Sequence, residues 1–81
     1  MGELETFYAH RTEMLSIAYR MLADLDDAED VLREAWLRWQ RRQVRVESPG
    51  EFLVSLVKQI CVSELGARAR RAHRESRPSP S

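Results

Sequence analysis

Residues 26–39 read DDAEDVLREAWLRW, a stretch with an acidic head, an apolar stripe and a basic, aromatic end. Asp26 and Glu29 have the spacing of a capping box, which predicts that a helix begins at Asp26. Apolar residues then recur three and four positions apart, as on one buried helix face: Ala28, Val31, Leu32, Ala35 and Trp39. The charged residues fall on the remaining arc, so we expect one side of this helix to pack and the other to meet solvent or a partner.

A second apolar series predicts a helix from about residue 3 to residue 23, with no proline or glycine to interrupt it. The short connection at Asp24 and Leu25 would make the two helices an antiparallel hairpin. We expect the following residues of this first helix in the core or at its edge: Leu4, Phe7, Tyr8, Met14, Leu15, Ala18, Tyr19, Met21 and Leu22.

A third helix is predicted to begin at the second capping box, Ser48-Pro49-Gly50-Glu51, after a basic loop at residues 40–47. Its expected buried face comprises Phe52, Leu53, Leu56, Val57, Ile60, Cys61 and Leu65. The arginine-rich run through Arg74 would continue it as an exposed, fraying helix. The predicted fold is therefore all-α, a three-helix domain over residues 1–75. Residues 76–81, SRPSPS, have the composition of a flexible linker in a longer chain.

The composition is that of one small, highly charged globular domain of 81 residues, 43% hydrophobic and 32% charged. The formal net charge is zero, but the halves differ. Residues 1–40 carry four arginines against nine carboxylates, and residues 41–81 carry nine cations against four carboxylates. An acidic half suits a basic protein surface and a basic half suits phosphates, although ordinary solvated helix faces would give the same charges.

Several classes of function find no support in the sequence. His10 and His73 have no cysteine or carboxylate at ligand spacing, which argues against a metal site. We find no phosphate-binding loop, nucleophile elbow or carboxylate pair, and therefore expect neither catalysis nor a cofactor. The single cysteine, Cys61, is expected to be buried in a reducing compartment. Charged residues near the N-terminus and the absence of long apolar runs indicate a cytoplasmic protein without a membrane segment.

Six short motifs follow one another along the chain: HR at residues 10–11, IAYRML at 17–22, DAEDV at 27–31, EAWLRW at 34–39, SP at 48–49 and FLV at 52–54. In this order they resemble the second conserved region of extracytoplasmic-function sigma factors, which are bacterial transcription initiation subunits. The resemblance covers Phe7 to about Arg74 and is nearest to the subgroup whose members carry a C-terminal accessory domain.

This resemblance implies an all-helical domain that binds the clamp helices of the largest subunit of core RNA polymerase and reads the single non-template strand of the −10 promoter element. An anti-sigma factor is a further possible partner. The implied polymerase contacts are Asp27, Asp30, Glu34, Leu37 and Arg38. The implied DNA contacts are Arg41, Arg42, Gln43, Arg45, Ser48, Lys58 and Gln59. Because the third helix departs from the family pattern, as described next, we also expect DNA contacts at Arg68, Arg70 and Arg71. At Phe52, where relatives usually have tryptophan, a core anchor is favoured over a base-stacking wedge.

The third helix departs from the family pattern. Gln59, Ser63, Glu64 and Gly66 stand where arginine, aspartate, arginine and arginine are expected, and Arg33 replaces a usual glutamine. These differences leave a rival interpretation open, in which a diverged sigma-like domain binds proteins but has little affinity for DNA. A regulator that reads double-helical DNA is less consistent with a third helix this apolar.

Overall fold

The computed structural model describes residues 2–76, and they form four helices: α1 (Glu3–Ala9), α2 (Arg11–Leu22), α3 (Leu25–Arg41) and α4 (Pro49–Ser76). The predicted all-α class is confirmed. The helix predicted after the second capping box begins at Pro49 and continues without a break at Gly66 as far as Ser76. Of the segment predicted to be a linker, residues 77–81 lie outside the described residues. No described helix is long and apolar enough to cross a membrane.

The first predicted helix is divided in two at His10, so the expectation of one continuous helix is wrong. The His10 backbone leaves the helical region (φ −106°, ψ 5°), and its ring Nδ1 lies 3.0 Å from the carbonyl oxygen of Thr6. The ring also approaches α4 closely: a Cβ atom at Gly50 would lie 2.7 Å from His10 Nε2. Because Gly50 has no side chain, the His10 ring can occupy the space beside the start of α4.

The turn between α2 and α3 contains two caps. Ala23 adopts the left-handed conformation (φ 56°), and its N–H donates to the carbonyl of Tyr19 at 2.7 Å, which closes α2. Asp24, not Asp26, caps α3, because its carboxylate accepts a hydrogen bond from the N–H of Asp27 at 3.0 Å. The predicted helix start at Asp26 was therefore wrong by two positions. Asp24, one residue before the helix begins, supplies the capping carboxylate instead.

The core lies among α2, α3 and α4, with Phe7 of α1 added to it. The predicted inner face of α3 is confirmed in full, and Trp39 at its end is only 2% exposed. The side chains buried from the other helices are Met14, Ala18, Leu22, Leu53, Leu56, Val57, Ile60 and Cys61. The apolar stripe of α3 therefore packs against both neighbouring helices.

Four residues predicted to be in or near the core are exposed. Leu4, Tyr8 and Tyr19 are 61%, 68% and 51% exposed, and Leu65 is 37% exposed. Leu65 lies in the second half of α4, and with 28 residues α4 measures about 42 Å against about 26 Å for α3. The apolar periodicity of α4 thus continues past the point where other helices can cover it.

The left-handed Ala23 offers a test of this architecture. Replacing it with glycine removes the Cβ strain, and Ala23→Gly should raise the free energy of unfolding by about 0.5 to 1 kcal/mol in urea denaturation. As a control, Ala69→Gly, at an exposed position inside α4, should lower it by up to about 1 kcal/mol. A loss of stability in Ala23→Gly would contradict the left-handed cap.

Candidate functional site

The outer arc of α3 carries the residues predicted to contact polymerase. Asp30, Leu37 and Arg38 are exposed, and Glu34 is partly so. Two of the acids are paired within the helix: Asp30 Oδ1 lies 3.2 Å from Arg33 Nη1, and Glu34 Oε1 accepts from Arg38 Nε at 2.9 Å. Exposed pairs of this kind contribute about 0 to 1 kcal/mol, so a partner can displace them at little cost.

Asp27 is in a different position, because it is bound to another helix. Arg68 of α4 donates to the Asp27 carboxylate and, at 3.2 Å, to the carbonyl of Leu22 at the end of α2. Its Nε also lies 3.4 Å from Glu64 Oε1. We call this set, Arg68 with Asp27, Glu64 and the Leu22 carbonyl, the Arg68 clasp. Arg68 was predicted to contact DNA, and the structure instead places it in contacts that join α2, α3 and α4.

A groove of about 290 Å³ lies beside the clasp, between α3 and α4. Val31 and Ile60 are its apolar lining, and carboxylates and a hydroxyl complete it: Asp27, Asp30, Ser63 and Glu64. Ion pairs to Arg33, Arg68 and Arg71 neutralise much of that acidity. The groove is therefore better suited to neutral polar groups than its three carboxylates alone suggest.

Arg42, also predicted to contact DNA, lies at the end of α3 in a second set of internal contacts. Its guanidinium donates to both carboxylate oxygens of Glu3, at 2.8 and 2.9 Å, and to the carbonyl of Trp39 at 2.6 Å. Its Cζ atom lies 3.3 Å from the centroid of the Trp39 ring, and Trp39 Nε1 donates to the carbonyl of Glu3 at 3.1 Å. We call Glu3, Trp39 and Arg42 the Arg42 anchor, because it fixes the start of α1 to the end of α3.

The remaining predicted DNA contacts of the loop are open to solvent. Arg41, Gln43, Arg45 and Ser48 are exposed around the connection from α3 to α4, and Lys58 and Gln59 are exposed on α4. The structure thus brings six of the ten predicted DNA contacts to the loop and the first half of α4, free of the clasp and the anchor.

An open groove of about 480 Å³ follows this loop along the first half of α4. Its lining comprises Ser48, Glu51, Phe52, Ser55, Leu56 and Gln59. Sequence reasoning missed Glu51 and Ser55 as part of this site. Their spacing of four residues, continued by Gln59, places all three on one exposed face and could have revealed them.

Phe52 lines the groove and also packs against the core. It is partly buried, and its ring centroid lies 5.7 Å from that of Trp39 at an interplanar angle of 52°. This tilted aromatic contact agrees with the predicted role of a core anchor.

The second half of α4 is basic and exposed. Arg70 and Arg71 both face solvent, and Arg71 Nη2 lies 3.5 Å from Glu64 Oε1, at the margin of an ion pair. Arg70 lies 21 residues along α4 from Pro49, where the loop ends, so these two cations are about 32 Å along the helix from the loop.

Other reactive groups do not form a site in the described part of the chain. Cys61 is fully buried, and burial raises the pKa of its thiol, an effect that the nearby Arg68 charge partly offsets. The thiol is therefore neutral near pH 7. Among residues 2–76 no group of three or more histidine, cysteine or acidic side chains is placed to hold a metal ion.

Residues 2–76 thus form a helical bundle with a charged outer arc on α3 and a basic loop beside it. The family model of sigma-70 region 2 matches residues 6–71, and the chain belongs to this family.

Among curated proteins, the chain is similar to the ECF RNA polymerase sigma factor SigJ of Mycobacterium tuberculosis (strain ATCC 25618 / H37Rv), with 35% identity over 69 residues. That match covers 85% of this chain and 22% of the relative, so the chain spans about a fifth of the length of that protein. No solved structure matches significantly.

The Arg42 anchor gives a stability prediction. Glu3→Gln removes the charge that faces the half-buried guanidinium, and it should lower the free energy of unfolding by about 1 kcal/mol. Glu5→Gln, in the same turn of α1 and exposed, should change it by less than about 0.5 kcal/mol. Thermal and urea denaturation of both variants would measure the difference, and equal effects would show that the anchor contributes nothing specific.

Proposed function

We propose that this chain is the part of a bacterial transcription initiation factor that docks on the clamp helices of core RNA polymerase and contributes to recognition and melting of the −10 promoter element. The observation that carries the proposal is the orientation of α3. Its inner face is locked in the core, so the charged arc that matches the family motif faces outward on a rigid helix.

The proposed polymerase surface consists of Asp30, Glu34, Leu37 and Arg38, with Asp27 at its edge. Carboxylates next to an exposed leucine suit a basic coiled coil, because charge complementarity favours fast, oriented association and apolar burial adds affinity. The pairs of Asp30 with Arg33 and of Glu34 with Arg38 are compatible with docking, since both are exposed and weak.

The proposed DNA surface runs from the loop along α4. Arg41 and Arg45 would contact phosphates, together with Lys58, and Arg70 and Arg71 would extend the electrostatic footprint. Gln43, Ser48 and Gln59 supply hydrogen-bonding groups for a base edge. The 480 Å³ groove, which Ser48 and Gln59 help to line, is large enough for an unstacked base, with Phe52 and Leu56 as apolar walls. Arg42 and Arg68 are not needed for this surface.

The polymerase half of the proposal can be tested by charge reversal. Asp30→Arg combined with Glu34→Arg should weaken binding to an isolated clamp-helix fragment at least about 30-fold, because two attractive contacts become repulsive. The matched control is Glu5→Arg combined with Glu13→Arg, which makes the same charge change on exposed positions of α1 and α2. Calorimetry or fluorescence anisotropy would measure both. No binding by the wild-type chain, or equal losses in the two variants, would refute the polymerase surface.

The DNA half can be tested through salt dependence. Arg45→Gln should weaken binding to a single-stranded −10 oligonucleotide and reduce the slope of log affinity against log salt by about 0.7, the value for one phosphate contact to a single strand. Arg20→Gln on α2, which loses the same charge away from the loop, should leave the slope unchanged. Anisotropy titrations at several salt concentrations would provide the slopes.

A second candidate function is a sigma-like domain that binds protein partners, either polymerase or an anti-sigma factor, with little contact to DNA. Two observations favour it. Arg42 and Arg68, two of the ten predicted DNA contacts, are held in internal contacts by the anchor and the clasp. Gln59, Glu64 and Gly66 stand where the family pattern has cations. A wild-type salt slope near zero would support this candidate, since phosphate contacts must release counterions.

A further inference from the structure

The Arg68 clasp joins residues that the sequence predicts to contact two different partners. Asp27 belongs to the polymerase arc of α3, and Arg68 belongs to the basic half of α4. In the free chain each neutralises the other. A carboxylate held by Arg68 is less available to a cation on a partner protein, and a guanidinium held by Asp27 is less available to a phosphate.

We propose that the Asp27–Arg68 pair couples the two surfaces, so that a lysine or arginine of the protein partner that binds Asp27 releases Arg68 as an additional phosphate contact. The coupling rests on the proposed function. By thermodynamic reciprocity, a phosphate on Arg68 also makes Asp27 more available to the protein partner.

The geometry of the clasp permits this exchange without unfolding. The Asp27 and Arg68 side chains are 42% and 31% exposed, so an incoming cation or phosphate can reach them. The other contacts of Arg68, to the Leu22 carbonyl and to Glu64, do not involve Asp27. They hold the guanidinium near the surface while its outer N–H groups change partner.

The first test measures DNA binding without a protein partner. Asp27→Ala should raise the affinity for a labelled single-stranded oligonucleotide about fivefold or more, the lower end of couplings between binding sites. It should also steepen the salt slope by about 0.7, because one phosphate contact is gained. The control is Asp26→Ala, which removes the same charge from the same helix turn, where the residue is exposed.

The gain must also depend on the guanidinium. Combining Asp27→Ala with Arg68→Gln should abolish both the increase in affinity and the steeper slope. Equal gains from Asp26→Ala and Asp27→Ala would overturn the coupling, as a simple effect of net charge explains them. A gain that persists in the Arg68→Gln background would overturn it as well.

A second measurement keeps the test decisive if Asp27→Ala does not fold. The wild-type chain, saturated with the clamp-helix fragment, should bind the oligonucleotide about fivefold more tightly than the free chain, and Arg68→Gln should lose this enhancement. If the wild-type chain binds both partners independently, the coupling is refuted while the proposed function stands. If it binds neither, the proposed function fails and the coupling fails with it.

Discussion

Burial of the inner face of α3 is the constraint on which the rest of the structure depends. Ala28 and Ala35 are fully buried along this face, and Trp39, only 2% exposed, closes the end of the stripe. A shift of one residue would rotate the helix by about 100° and carry carboxylates such as Asp27 into the core, where each unpaired ion costs several kcal/mol. The same packing that stabilises the fold therefore fixes which charges face outward.

Once the rotation of α3 is fixed, its acidic residues differ in what holds them. Asp30 and Glu34 pair with arginines of their own helix, so these pairs constrain no other element and are screened by salt. Asp27 pairs with Arg68, 41 residues further along the chain, and contributes to tertiary structure. An intramolecular ion pair therefore does not by itself prevent a carboxylate from binding a partner. The free-energy cost of breaking the pair depends on how buried it is and on the other contacts of its arginine.

Prediction from the sequence was accurate for features that depend on a repeating pattern, and it failed for features that depend on a single contact. The inner face of α3 followed from apolar spacing alone, whereas the break at His10 has no glycine or proline to indicate it. At this break the imidazole ring lies against the Thr6 carbonyl and occupies the space beside Gly50, and neither contact can be read from a sequence pattern. Similarly, the polymerase and DNA candidates followed from the family pattern, but no periodicity could show that Arg42 and Arg68 bind residues about 40 positions away.

The two halves of the long helix α4 are held to the bundle by different interactions, apolar packing in the first half and ion pairs in the second. Its first half is held by buried apolar contacts such as Leu53 and Val57, which are insensitive to salt, so the groove beside the loop keeps a fixed position relative to α3. Its second half extends past the core and is held to the bundle by the clasp, whose ion pairs are partly exposed. Ionic conditions and charged partners therefore act on the basic end of α4, while the site proposed for an unstacked base stays rigid.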